Sequence, residues 1–128
     1  MIQQITNGIK VSVQTNFENT CFQNNSRYFT FSYSITIENQ SNNSVQLVSR
    51  HWEIFDALNN LEIVDGEGVV GEKPILPPRE THTYKSFCRL TSPTGSMKGH
   101  FNMINFSTTK RFRVYIPTFQ LIIPAISN

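Results

Sequence analysis

The segment Gly66-Glu67-Gly68-Val69-Val70-Gly71 has the G-x-G-x-x-G spacing. In a dinucleotide-binding unit those glycines let the backbone approach a pyrophosphate that rests on a helix N-terminus. That chemistry needs a strand before the motif and a helix after it. Leu61 to Val64 reads as a short strand, but Pro74, Pro77 and Pro78 follow. Proline removes backbone donors and clashes with a preceding turn, so no helix follows the glycines. Glu62, Asp65, Glu67 and Glu72 surround the motif and only Lys73 opposes them. A phosphate there would meet net negative charge without a helix dipole to offset it. The preferred reading is a glycine-rich connection that needs positive φ or close backbone approach. The alternative reading takes Asp65, Gly66, Glu67, Gly68, Val69, Val70, Gly71, Glu72, Lys73 and Pro74 as a small-molecule loop. Its ligand would be a nucleotide polyphosphate, or a divalent ion held by the oxygen ligands of Asp65, Glu67 and Glu72.

The remaining reactive residues do not converge in sequence. His51, His82 and His100 fall in three separate strand regions and lack zinc-site spacing. No serine sits in a G-x-S-x-G elbow. Cys88 shares a strand face with Tyr84 and Leu90, which reads as a buried, inert thiol. No catalytic residue, resident metal or cofactor is expected, and the chain reads as a non-enzyme. Lys85, Arg89, Arg111 and Arg113 point outward by alternation. They would form one basic face if their strands were neighbours in one sheet. Positive strand exteriors more commonly serve solubility and block edge pairing, so a nucleic-acid partner is not expected.

The elements that carry these residues are strands. Phe29, Phe31, Tyr33, Ile35 and Ile37 alternate with polar residues, the pattern of a half-buried strand. Val11 and Val13 give a short strand before it, and Asn39 to Ser44 is turn chemistry. Val45 to Phe55 is a strand with Val48, Trp52 and Ile54 on one face and His51 and Glu53 on the other. Asn59-Asn60 marks a turn, and Gly66 to Pro78 an ordered loop. Thr81 to Leu90, Gly99 to Asn105, Arg111 to Ile116 and Phe119 to Ile123 complete the strands, with a turn at Thr91 to Gly95. No stretch keeps helical periodicity over three turns. Seven or eight short strands argue an all-β, antiparallel two-sheet sandwich.

The chain has 128 residues, of which 38% are hydrophobic and 16% charged, with a formal net charge of +2. That length fits a single domain, residues 1–128, able to bury roughly two-thirds of its unfolded surface. Ten Phe, four Tyr and one Trp exclude an intrinsically disordered chain. No apolar run approaches a membrane span and no leader precedes Lys10, so a cytoplasmic protein without membrane contact is expected. Cys21, Trp52 and Cys88 occur in the order of an immunoglobulin disulfide and its packed Trp. Cys21 lies in the polar stretch Asn16 to Arg27, which reads as loop, so both cysteines are expected to be free.

The glycine motif is followed by Pro74, Pro78, Glu80, Tyr84 and Ser86, and then by Gly95, Met97, Gly99, Phe101 and Met103. Upstream stand Arg27, Tyr28, the alternating Phe29 to Ile37, Arg50 and Trp52; downstream stand Ile116-Pro117, Phe119, Leu121 and Pro124. Over nearly the whole chain this set resembles the ApaG (CorD) family. Arg79 and Phe87 stand where the family usually has glycine. The resemblance implies a bacterial protein with an immunoglobulin-like or fibronectin type III-like sandwich and no assigned catalytic residues. It also implies a genetic association with cobalt and magnesium resistance, and a protein-binding role. The expected contact surface is Gly66 to Pro78 with an adjacent turn carrying Gly95, Met97 and Gly99. The expected partner is a protein, and an uncovered edge strand could pair two copies.

Overall fold

The computed structural model describes residues 1–57 and 61–124. The turn expected at Asn59-Asn60 lies outside the described residues. They form nine strands: β1 (Ile2–Thr6), β2 (Ile9–Gln23), β3 (Ser26–Asn39), β4 (Val45–Asp56), β5 (Leu61–Glu67), β6 (Ile75–Leu76), β7 (Thr81–Leu90), β8 (Thr94–Asn105) and β9 (Arg111–Ile122). One sheet has the order β1-β2-β3-β7. The other runs β5-β4-β8-β9, with β6 against β4. Every pairing is antiparallel. The expected two-sheet sandwich stands, with more strands than the alternation alone reveals.

The core is what the alternation of β3 predicts. Phe31, Ile35 and Ile37 are fully buried and face Leu47, Met97, Phe101 and Leu121 of the opposite sheet. Each such side chain contributes about 1.5–3 kcal/mol by leaving water. Tyr33, Trp52 and Phe119 pack mutually at centroid distances of 5.4–5.8 Å. Such edge-on and tilted contacts suit the ring quadrupoles.

Several strand limits differ from the sequence reading. β1 gave no signal because it is an edge strand whose Ile2 and Ile5 stay exposed. β2 continues far past Val13, through the polar stretch read as loop. Beyond a bulge between Phe17 and Asn19 it pairs with the start of β3 as a ribbon, so no alternation marks it. Cys21 is therefore a strand residue, opposite Tyr28, while Cys88 on β7 faces Phe31. Both lie in the same sheet, so no inter-sheet bridge joins them, and both are free. In β4 a bulge between Leu47 and Ser49 puts Leu47, rather than Val48, in the core. The C-terminal segments are one strand, β9, which carries Pro117 at the free edge of its sheet. Lys85 and Arg89 belong to one sheet and Arg111 and Arg113 to the other, so the four do not form one basic face.

The two flanks of the sandwich differ. On one, β9 lies beside the start of the chain: Tyr115 N–H donates to Thr6 Oγ1 at 3.3 Å. On the other, β5 and β7 are both free edges, and the segment after β5 reaches β7 through Glu72 and His82, 3.7 Å apart.

Asp56 ends β4 and ties down the β7–β8 turn. Its carboxylate accepts from Thr91 N–H and Thr91 Oγ1, both at 2.7 Å, and from Ser92 Oγ at 2.6 Å. Asp56→Ala leaves these donors without it in a buried place and should cost about 2–3 kcal/mol. Urea unfolding checks this: the midpoint should fall with an unchanged m value.

Candidate functional site

The glycine motif begins inside β5 and ends in a tight turn. Gly66 pairs with Arg50 of β4, and the Arg50 guanidinium lies directly over it. A Cβ at Gly66 would sit 2.7–2.9 Å from the guanidinium atoms, so a side chain there would displace the guanidinium from its position. Arg50 Nη1 donates to the carbonyls of Glu67 and Gly68, both at 2.9 Å. Gly68 has φ +61 and a Cβ there would run into the Glu72 carbonyl. Gly68 N–H donates to Val48 O at 2.9 Å. Val69 and Glu72 exchange two backbone hydrogen bonds, at 2.8 and 3.0 Å. Val70 and Gly71 between them have φ of 47° and 78°. Positive φ at both central positions is the pattern of a type I′ turn.

This arrangement occupies several of the backbone donors a phosphate cradle would use. The N–H groups of Gly68, Val69 and Glu72 are already bonded within the protein. The nearest guanidinium faces carbonyl oxygens. Strand β5 precedes the motif, and the two-residue strand β6 follows where a helix would be needed.

The carboxylates of the loop turn to three different partners. Asp65 Oδ1 lies 2.6 Å from His51 Nδ1. Glu67 pairs with Lys73 at 3.3 Å, and Glu72 with His82. Among the described residues, no group of three His, Cys, Asp or Glu side chains is disposed to hold a metal ion. Lys73 and Pro74 lead away from the turn, and Pro74 O accepts from Leu47 N–H at 3.1 Å.

Asp65 belongs to a second arrangement that sequence spacing does not disclose. Strand register sets Asp65, His51, His100 and Tyr115 in one row across β5, β4, β8 and β9. The His51 and His100 rings stack at 4.8 Å, and Tyr115 meets His100 edge-on at 6.1 Å. Glu53 Oε2 lies 3.6 Å from His51 Nε2. Burial pushes the His100 pKa below its usual 6.5, and the charges of Arg113 and His51 push the same way. Only the pairing register reveals the row, because its members are far apart in sequence.

Inside the sandwich, Tyr84 packs against Phe101 and its buried hydroxyl has no protein partner. Burial raises its pKa, and the nearby charge of Arg50 opposes the rise. The Cys88 thiol is pushed up to about 12, first by burial and then by the charges of Glu62 and Asp56. A thiol so raised stays protonated and unreactive at neutral pH.

The structure does not bring the second expected segment to the loop as a turn. Gly95, Met97 and Gly99 are all within β8. Gly95 pairs with Asp56 and Gly99 with Trp52, whereas the glycine turn docks on Val48 near the other end of β4. Met97 is buried in the core. The residue that sequence reasoning left without a role is Arg50. Its role follows only from the β4–β5 register, which sets it opposite Gly66.

Gly68→Ala should lower stability by more than about 1 kcal/mol, because alanine resists a positive φ. Thermal unfolding measures this, and an unchanged midpoint would remove the structural role. His100 favours its neutral form in the folded state, so the unfolded chain binds more protons. Stability must then fall as pH drops through about 6.5 toward the lowered folded value. His100→Gln should flatten that part of a plot of melting temperature against pH.

The ApaG domain family matches residues 19–105. A protein named ApaG from Beijerinckia indica is 41% identical over 124 residues, covering 97% of this chain and 95% of its own. Another ApaG, from Anaeromyxobacter dehalogenans, is 41% identical over 128 residues and all of both chains. A structural-genomics X-ray structure superposes with a TM-score of 0.88 at 35% identity, covering 94% of this chain and 91% of that one. A Bordetella pertussis protein described as ApaA gives a TM-score of 0.80 at 33% identity, over 92% and 95% of the two chains. With its fold, its glycine turn and these matches in agreement, the chain belongs to the ApaG domain family.

Proposed function

We propose that this protein is a non-enzymatic β-sandwich module that binds a protein partner through the turn Val69 to Glu72. The observation that carries the reading is Val70. It is β-branched, has a φ of 47° and is 63% exposed. A β-branched residue in the left-handed region is strained by about 1–3 kcal/mol. Asn or Gly would relieve that strain at no cost in packing, because the side chain points to water. An exposed apolar residue kept at a strained position suits a contact made with something else. The frame beneath it is rigid: Val69 is buried, and Arg50 fixes the carbonyls of Glu67 and Gly68. Asp65, Glu67 and Glu72 outnumber the cations Lys73 and Arg50 at the loop and leave its surroundings net negative. The complementary partner surface is an apolar slot with a basic rim.

This reading places the protein in a reducing cytoplasm, where Cys21 and Cys88 stay as thiols. Any part in cobalt or magnesium resistance would then be exerted through the partner rather than by holding the ion.

Val70→Asn and Val70→Gly should each raise thermal stability by about 1 kcal/mol. Both should also lose the proteins that immobilised wild-type domain retains from a cell extract. Retention of the same proteins by both variants would overturn the reading.

A further inference from the structure

We propose that the flank formed by β5 and β7 is a self-association surface, and that its occupant is a second copy of this chain. The two strands are the free edges of different sheets on the same side of the sandwich. Their proximity is marked by the contact of Glu72 with His82 and by the influence of Glu62 on Cys88. Free edges invite pairing, and proteins blunt them with charge. Here the outward-facing charges have opposite sign on the two edges: β5 carries Asp65 and Glu67 in the row of Leu61 and Ile63, and β7 carries Lys85 and Arg89 in the row of Phe87.

Each edge also exposes large apolar side chains. On β5, Leu61 is 47% and Ile63 50% exposed; on β7, Phe87 is 61% exposed, with the Lys85 ammonium 5.5 Å from its ring centre. Pairing β7 with a second β7 would set Lys85 and Arg89 against like charges. Pairing β5 with a second β5 would set acid against acid. A two-fold axis normal to the flank avoids both, because it lays β7 of each copy along β5 of the other. Basic strip then meets acidic strip twice, and Phe87 meets the Leu61–Ile63 strip. Such an interface is isologous and closed, so association stops at a dimer. The glycine turn lies at one end of this flank, so each dimer presents two copies of it.

Sedimentation equilibrium of the full chain, from about 10 µM to about 1 mM, tests this. The expected result is a monomer–dimer equilibrium that weakens as salt rises. Lys85→Glu with Arg89→Glu should give a monomer, as should Asp65→Lys with Glu67→Lys. The chain carrying all four reversals should dimerise again, since the two strips are then complementary with exchanged signs. Thermal unfolding of each variant confirms that it is folded. A wild-type chain that stays monomeric throughout would overturn the proposal. So would a dimer that survives either pair of reversals, or one that the four reversals together fail to restore.

Discussion

The contact between Arg50 and Gly66 is the constraint on which the glycine loop depends. The guanidinium occupies the space that a side chain at Gly66 would fill, so a larger residue there would have to push it off its carbonyls. From there Arg50 reaches two consecutive carbonyls. Charge-assisted hydrogen bonds of this kind are the stronger class, and two from one group fix direction as well as distance. With both carbonyls fixed, the chain turns at Gly68 and closes the small hairpin around Val70 and Gly71. The motif that reads as a phosphate cradle in the sequence is thus used to seat an arginine and present a turn.

How much of this was legible varied with how locally each feature is encoded. β3 was legible from Phe29 to Ile37, because its apolar face lies on the core and its polar face does not. β1 and the far half of β2 were not, because neither side of those segments is buried enough to impose alternation. The bulge in β4 exchanged Leu47 for Val48, a shift that period-two reasoning cannot foresee. The positive φ and close backbone approach expected of the glycines are found at Gly68 and Gly66. The row of Asp65, His51, His100 and Tyr115 was invisible, since it exists only through the register of four strands.

The sandwich separates a buried layer from edges and turns that carry exposed apolar groups. Stability comes from the layer between the sheets, where Phe31, Phe101 and their neighbours are closed to water. Edges and turns contribute little to that layer and are free to carry strain or exposed apolar groups. Cys88 and Tyr84 show the division from the inside: both are shielded, and burial shifts both away from reactivity. Val70, Ile63 and Phe87 show it from the outside, as apolar residues left in water.

Amide hydrogen exchange across the loop is the most direct test of the central claim, that the glycine motif is a closed structure held by Arg50. The account predicts slow exchange at Gly68, Val69 and Glu72 in the wild-type chain. It predicts that Arg50→Met, which keeps an apolar stem but has no donor for either carbonyl, loses protection at these three together while the amides of β3 stay protected. Fast exchange at the three amides in the wild-type chain would contradict it, because an open loop with free N–H groups is what a phosphate ligand would need.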